Sequence, residues 1–264
     1  MKLKVLVDNN TNIDDYYLGE PGLSIYIEDG ETKILFDTGY SDIFLKNAEK
    51  MNIDLSKINY LIISHGHNDH TGGLKYLLDK DLSNIKLIAH PEVFEKRNHN
   101  GLDISSPVDL NELKIKEYID GTKQVRITDN LYFLGEIEKT TDFEDRPVGF
   151  KTRYNIPDQL KDDSALVYRT DKGLFIITAC SHSGICNIIN HAKKAFNDNR
   201  ILGIIGGFHL LKNDDQLEKT IEFLKKEDIK ELWPSHCVSL YAKHKMYEVT
   251  TVHQVGVGLE LNIE

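Results

Sequence analysis

The sequence predicts a mixed α/β fold, with helices on the outer faces of mixed sheets, and three observations point there. Strand-like and helix-like segments alternate along the whole chain. The short, continuously apolar runs 59–64 and 201–205 have the length of strands buried on both faces. Each half carries a hairpin followed by further strands and helices, with no repeat at the level of sequence.

Taken in order, residues 2–7, 23–27 and 33–36 read as strands, and Asp29-Gly30 between the last two marks a hairpin turn. Apolar spacing predicts a helix over 43–50. The run NYLIIS, 59–64, is a buried strand, 72–78 a helix and 86–89 the next strand. In the second half, 165–168 and 174–178 flank Asp171-Lys172-Gly173, a second hairpin signal. Residues 185–196 are helical, 201–205 a buried strand, 214–226 a charged amphipathic helix and 229–233 a strand. From Val255 to Ile263 every second residue is apolar, the pattern of a half-buried strand. Residues 140–163 break the rhythm, with Pro147, Pro157 and no periodicity. A loop this long in a compact domain is usually functional or disordered. The plain reading is a solvated excursion. The sharper one is a lid whose Phe150 stacks on a ring while Arg146, Lys151 and Arg153 pair with an anion.

Charge and composition exclude several classes. With 32 Lys and Arg against 42 Asp and Glu, the net charge is −10, which lacks the electrostatic footprint of a nucleic-acid binder. No run approaches the ~20 apolar residues of a membrane span, and mean hydropathy is −0.38. The start MKLKVLV turns polar at Asp8, too soon for a signal-peptide core. Cys180, Cys186 and Cys237 are too few and odd in number for a disulfide framework, which points to a reducing cytoplasm.

The densest chemistry is SHGHNDHTGGL, 64–74. His65, His67, Asp69 and His70 put four candidate metal ligands into six residues, directly after a buried strand. Chemistry in open α/β architectures gathers at such strand ends. The spacing differs from the helical HExxH site, and Gly66, Gly72 and Gly73 allow a tight loop instead. Imidazoles with a carboxylate suit zinc, and also iron or manganese.

HGHNDH resembles the HxHxDH signature of the metallo-β-lactamase superfamily, as do the upstream hairpin ending in FDTG, 36–39, and the downstream hairpin ending at Thr178. The resemblance runs from about Leu3 to Ile263. It implies one domain over 1–264: a four-layer αββα sandwich of two mixed sheets with outer helices, a two-metal site at the sheet edge, and 140–163 as an active-site loop. GLSIYIEDG, DDSALVY, TACSHSGICNI, GGFHL and WPSHC further resemble a subgroup. That subgroup includes methanopterin-pathway synthases of dihydropterinylmethyl-ribofuranosylaminobenzene phosphate, alongside metal-dependent hydrolases.

The same resemblance implies the remaining ligands. His182 in TACSHSG and His236 in WPSHC match metal-binding positions. Cys180 stands where many relatives keep a bridging aspartate; a zinc thiolate and a small buried residue are both open. For His209 in GGFHL, ligand, substrate contact and structural histidine stand level. His90 reads as a turn residue, and His99, His191, His244 and His253 as structural or exposed. Relatives carry a further ligand histidine between His70 and His182, where LYFLGEIEKT has none, so His182 takes its place or one metal is short of a ligand. Asp37 reads as a carboxylate orienting a ligating imidazole, or as a turn residue.

The expected function is metal-assisted hydrolysis by two divalent ions, zinc first. A metal-activated hydroxide attacks an ester or phosphoester of a small molecule, and Asp69 serves as ligand and proton acceptor. A pterin-pathway condensing transferase and a non-catalytic metal-binding or redox-sensing module are the alternatives.

Overall fold

The computed structural model describes residues 1–144 and 149–264. The chain divides into two compact units: Met1–Thr122, Pro147–Asp162 and Gly256–Glu264 form the first, Lys123–Arg146 and Asp163–Val255 the second. Among the described residues there are five α-helices, and none is long and apolar enough to cross a membrane.

The first unit is built on a seven-stranded sheet in the order Glu260–Asn262, Lys2–Val7, Ser24–Asp29, Thr32–Phe36, Tyr60–Ile63, Lys86–Ala89, Glu117–Asp120. The first three pairings are antiparallel and the last three parallel. Its core packs Leu6, Leu35, Leu61, Ile63, Leu87 and Ala89 against Phe44 and Ala48 of the helix Ile43–Lys50. Asn47, buried in that helix, donates to the carbonyls of Leu6 and Leu18, so a polar core position is satisfied rather than wasted.

The second unit repeats the plan. Its sheet runs Thr251–Val252, Glu231–Pro234, Ile201–Gly206, Gly173–Thr178, Ala165–Thr170, Leu131–Phe133, Val125–Arg126. Three parallel pairings are followed by three antiparallel ones. Helix Ile185–Phe196 buries Ile185, Ile188, Ile189 and Ala192, the i, i+3, i+4 face its spacing predicts. Helix Asp215–Lys226 begins at the Asp214 cap, whose side chain accepts from the Leu217 amide, and buries Leu217, Ile221 and Leu224.

In each unit the parallel strands end on one sheet edge. Phe36 lies opposite Ile62, and Ile63 opposite Ala89, so Asp37, Ser64 and His90 follow one another along that edge. In the second unit Ile177 pairs with Ile205 and Gly206 with Pro234, which lines up the segments beginning at Ala179, Gly207 and Ser235.

Four elements differ from expectation. The helix expected over 72–78 is a single α-turn, Asn68–Thr71, followed by the 3-10 stretch Gly72–Leu77; two consecutive glycines are poor α-helix formers. The alternation from Val255 yields a strand only at Glu260–Asn262, because Gly258 at φ 97° turns the chain out of the extended conformation. The segment 140–163 is partly ordered. Phe150–Thr152 pairs antiparallel with Arg97–His99, which also pairs with Leu102–Asp103, in a small sheet of the first unit. Helix Leu240–Tyr247, capped by Ser239, was not legible, for its apolar residues follow no face.

Candidate metal centre

In the first unit the site is built outward from Asp37. This residue ends its strand at φ 59° and is fully buried. Its Oδ1 accepts from the Ser64 amide at 2.8 Å; its Oδ2 accepts from Ser64 Oγ at 2.7 Å and from His70 Nδ1 at 2.7 Å. An ionised carboxylate only accepts, so the His70 proton sits on Nδ1 and Nε2 presents a lone pair, 3.7 Å from Asp69 Oδ2. Ser64 has spent its one proton on Asp37. It therefore accepts from His65 Nδ1 at 2.9 Å, which leaves the His65 lone pair on Nε2 as well. That nitrogen lies 3.1 Å from His67 Nδ1. Two ligands at Zn–N bonds of ~2.0–2.1 Å sit roughly 3.4 Å apart on a tetrahedral edge, so the pair fits one metal. Burial pushes the His67 imidazole down to about 3, keeping it in the neutral form that a metal requires.

The turn between His65 and His67 admits only glycine, since a Cβ on Gly66 would lie 2.2 Å from the Val93 carbonyl oxygen. The Gly66 amide donates to Asp162 Oδ2 at 2.8 Å, and the same oxygen receives Arg97 Nη1 at 2.9 Å. Arg97 is buried, with Nε 3.3 Å from Asp158 and Nη2 donating to the Glu92 carbonyl.

In the second unit the candidate ligands come from three strand ends. Cys180 and His182 follow Gly173–Thr178, His209 follows Ile201–Gly206, and His236 follows Glu231–Pro234. Ser181, His209 and His236 all have left-handed backbone, at φ 57°, 48° and 47°. Such conformations are uncommon outside glycine and cluster at functional sites. Donor atoms of Cys180 and His236 lie within 4.8 Å, and the His182 and His209 rings are 4.5 Å apart. Ser181 Oγ donates to the Gly207 carbonyl at 2.7 Å, tying the first strand end to the second. Cys237 Sγ lies 3.5 Å from Cys180 Sγ, over Gly207, where a Cβ would meet Cys237 Sγ at 2.5 Å. The Ser183 amide donates to Asp163 Oδ2 at 2.8 Å.

Of the candidate substrate contacts, Phe150 stands with its ring 4.5 Å from His67, an aromatic surface beside the histidine loop. Lys151, exposed, alternates to the opposite face of the strand. Arg153 is exposed, stacks on Tyr154 at 4.8 Å and donates to its hydroxyl. Arg146 lies outside the described residues. His90 caps the 3-10 turn Pro91–Phe94, accepting from the Glu92 amide. His191 accepts from the Glu138 amide, His253 stacks on Trp233, and His99 packs on Phe150. Sequence reasoning missed Arg97, Asp162, Asp163, Glu144 and Cys237. Asp162-Asp163 opens the motif DDSALVY, but nothing in histidine spacing marks a carboxylate that supports a loop from 96 positions away.

Comparison with known proteins agrees with this architecture. The profile of the metallo-beta-lactamase superfamily matches residues 18–193. A Methanocaldococcus jannaschii protein named 7,8-dihydropterin-6-methyl-4-(beta-D-ribofuranosyl)-aminobenzene-5'-phosphate synthase is 31% identical over 94% of this chain and 91% of its own. An uncharacterised protein of the same organism is 30% identical over 99% of this chain and 100% of its own. A crystal structure described as a metal-dependent hydrolase of the beta-lactamase superfamily superposes with a TM-score of 0.85 at 32% identity, covering 100% of this chain and 99% of that one. Zn(2+)-bound PqqB from Methylobacterium extorquens shares the fold at a TM-score of 0.58 and 12% identity, covering 100% of both chains.

Proposed function

The chain belongs to the metallo-β-lactamase superfamily, and from that premise we propose that it is a metal-dependent hydrolase acting on an ester or phosphoester of a small molecule. The observation that carries this reading is the Asp37–Ser64 arrangement, which fixes the tautomers of His65 and His70 so that both present Nε2 lone pairs. In this reading His65 and His67 serve one divalent ion and Asp69 and His70 a second, and Cys180, His182, His209 and His236 are the further candidate ligands. Imidazoles, a carboxylate and a thiolate together favour zinc over manganese, and iron comes next. When bound, the metals supply an activated water near neutral pH and stabilise charge developing on the attacked group. Asp69, partly exposed at 29% of its side chain, would take a proton beside His70. Phe150 offers a ring face to the substrate.

The test begins with elemental analysis of protein purified without chelator, where two metal equivalents are expected. Phosphodiester and ester substrates should then be cleaved, with activity lost on chelation and regained with zinc. A protein that holds two metals and cleaves neither class would overturn the hydrolase reading.

A second reading is favoured by the relative named as a pterin synthase and by the ring beside His67. Here the same site would join a dihydropterin phosphate ester to an aminobenzene acceptor, the acceptor's nucleophilic atom losing its proton and the phosphate or pyrophosphate leaving with the electron pair of the broken C–O bond. Release of phosphate or pyrophosphate from the pterin ester only when the aminobenzene acceptor is present separates this reading from hydrolysis.

A further inference from the structure

Two adjacent carboxylates, Asp162 and Asp163, are buried and unused by the chemistry above. The division between the two units falls between them. Asp162 accepts the Gly66 amide at 2.8 Å, inside the His65-Gly66-His67 turn. Asp163 accepts the Ser183 amide at 2.8 Å, next to His182. Each therefore grips the backbone of a loop that carries candidate ligands, one in each unit.

We propose that Asp162 and Asp163 are positioning residues for the metal centre, Asp162 setting the His65–His67 turn and Asp163 setting the turn that carries His182. The proposal rests on the metal-dependent reading above. A capping or solubilising role would leave these side chains exposed, whereas both are fully buried. Burying a carboxylate is costly unless it is bonded and paired. Asp162 meets that condition through Oδ2 alone, which takes the Gly66 amide and Arg97 Nη1; Oδ1 is buried with no hydrogen-bond partner among the described residues. Arg97 is held in turn by Asp158 and the Glu92 carbonyl, so the grip on Gly66 is braced from behind. A backbone amide between two ligands is an effective point of control. Shifting it moves both imidazoles together, and ligand geometry tolerates about ±0.2 Å.

The test measures zinc affinity by chelator competition and the visible spectrum of the cobalt(II)-substituted protein, with folding followed by circular dichroism. Asp162→Ala and Asp163→Ala remove the acceptor and should each weaken one zinc site by about 10–100-fold, the range for residues that orient ligands. Asp162→Asn and Asp163→Asn retain an acceptor for the amide and should restore most of that affinity and the wild-type cobalt spectrum. A role in folding alone would lower melting temperature without changing zinc affinity or the spectrum. Should the alanine variants not fold, Asp162→Glu and Asp163→Glu carry the test: charge is kept and the anchor point moves by one methylene. Wild-type zinc affinity and spectrum in the folded alanine variants, or in the glutamate variants where those must stand in, would overturn the proposal. Absence of zinc binding by the wild-type protein would instead defeat the metal-dependent reading itself.

Discussion

The two units place donors at the same kind of sheet edge by different means. In the first, four donors come from six consecutive residues, and one buried carboxylate, Asp37, holds the Ser64 amide and the His70 ring together. In the second, four donors are spread over three strand ends, each turned by a left-handed residue, and hydrogen bonds such as Ser181 Oγ to the Gly207 carbonyl link the ends. A contiguous loop can be oriented by one or two side chains, as Asp37 and Asp162 do here. A dispersed set needs the strand register and several backbone constraints at once. The first region is thus vulnerable at its carboxylates and the second at its close backbone packing.

The largest effect should come from removing a ligand in the contiguous loop. His67→Ala should cost one metal equivalent per chain by elemental analysis and abolish metal-dependent turnover; His182→Ala, one member of a dispersed set, should also cost an equivalent. Full metal content in both variants would break the comparison, because neither region would then be a metal site. Next comes Asp37→Asn. The amide still accepts through its oxygen but cannot serve His70 and Ser64 as a carboxylate does, so zinc affinity should fall by about 10–100-fold, read by chelator competition. An unchanged affinity would show that His70 is oriented by packing alone.

Gly207→Ala probes the second region in the same spirit. The added Cβ would lie 2.4 Å from the Ala179 carbonyl oxygen and 2.5 Å from Cys237 Sγ. Backbone must shift to admit it, with an expected loss of about 1–3 kcal/mol, typical of overpacking. Denaturant unfolding of the purified protein measures it. A loss well below that range would mean this strand end is pliant, and that the dispersed site is held by ligands rather than by packing.

How much of this was legible in the sequence follows the same division. The strands Lys2–Val7 and Lys86–Ala89 and the helices Ile43–Lys50 and Ile185–Phe196 have the bounds that apolar spacing predicts, because burial on one face writes a period into the chain. The strand Phe150–Thr152 left no such mark: three residues paired to another short strand carry too little pattern. HGHNDH was conspicuous because its donors are neighbours in sequence. Cys180, His182, His209 and His236 were picked out by resemblance, since nothing local distinguishes a ligand histidine from His90, which caps a turn at an equivalent strand end. Asp162, Asp163 and Arg97 are invisible to spacing, for their partners are brought close only by folding.

The smallest expected effect concerns Glu144, which supports the second region from behind. Its carboxylate accepts from the amides of Cys186 at 3.0 Å and Asn187 at 2.9 Å, at the start of helix Ile185–Phe196. Those amides and the helix dipole favour the ionised form. Burial opposes them and wins, so the carboxyl is held above its ordinary range. A carboxyl raised in the folded state binds its proton more tightly there than in the unfolded chain. Its contribution to stability is full below the unfolded value and is lost as pH rises through the folded one. Glu144→Gln removes the titration while keeping an acceptor. Relative to wild type, the variant should therefore fare better at pH 7.5 than at pH 4. Urea unfolding of both proteins at the two pH values reads this directly, because other carboxylates such as Asp198 titrate alike in both. The opposite ordering would mean that the helix amides outweigh burial, and that the support behind Cys186 and Asn187 is a charge clamp of the kind Asp37 provides in the first unit.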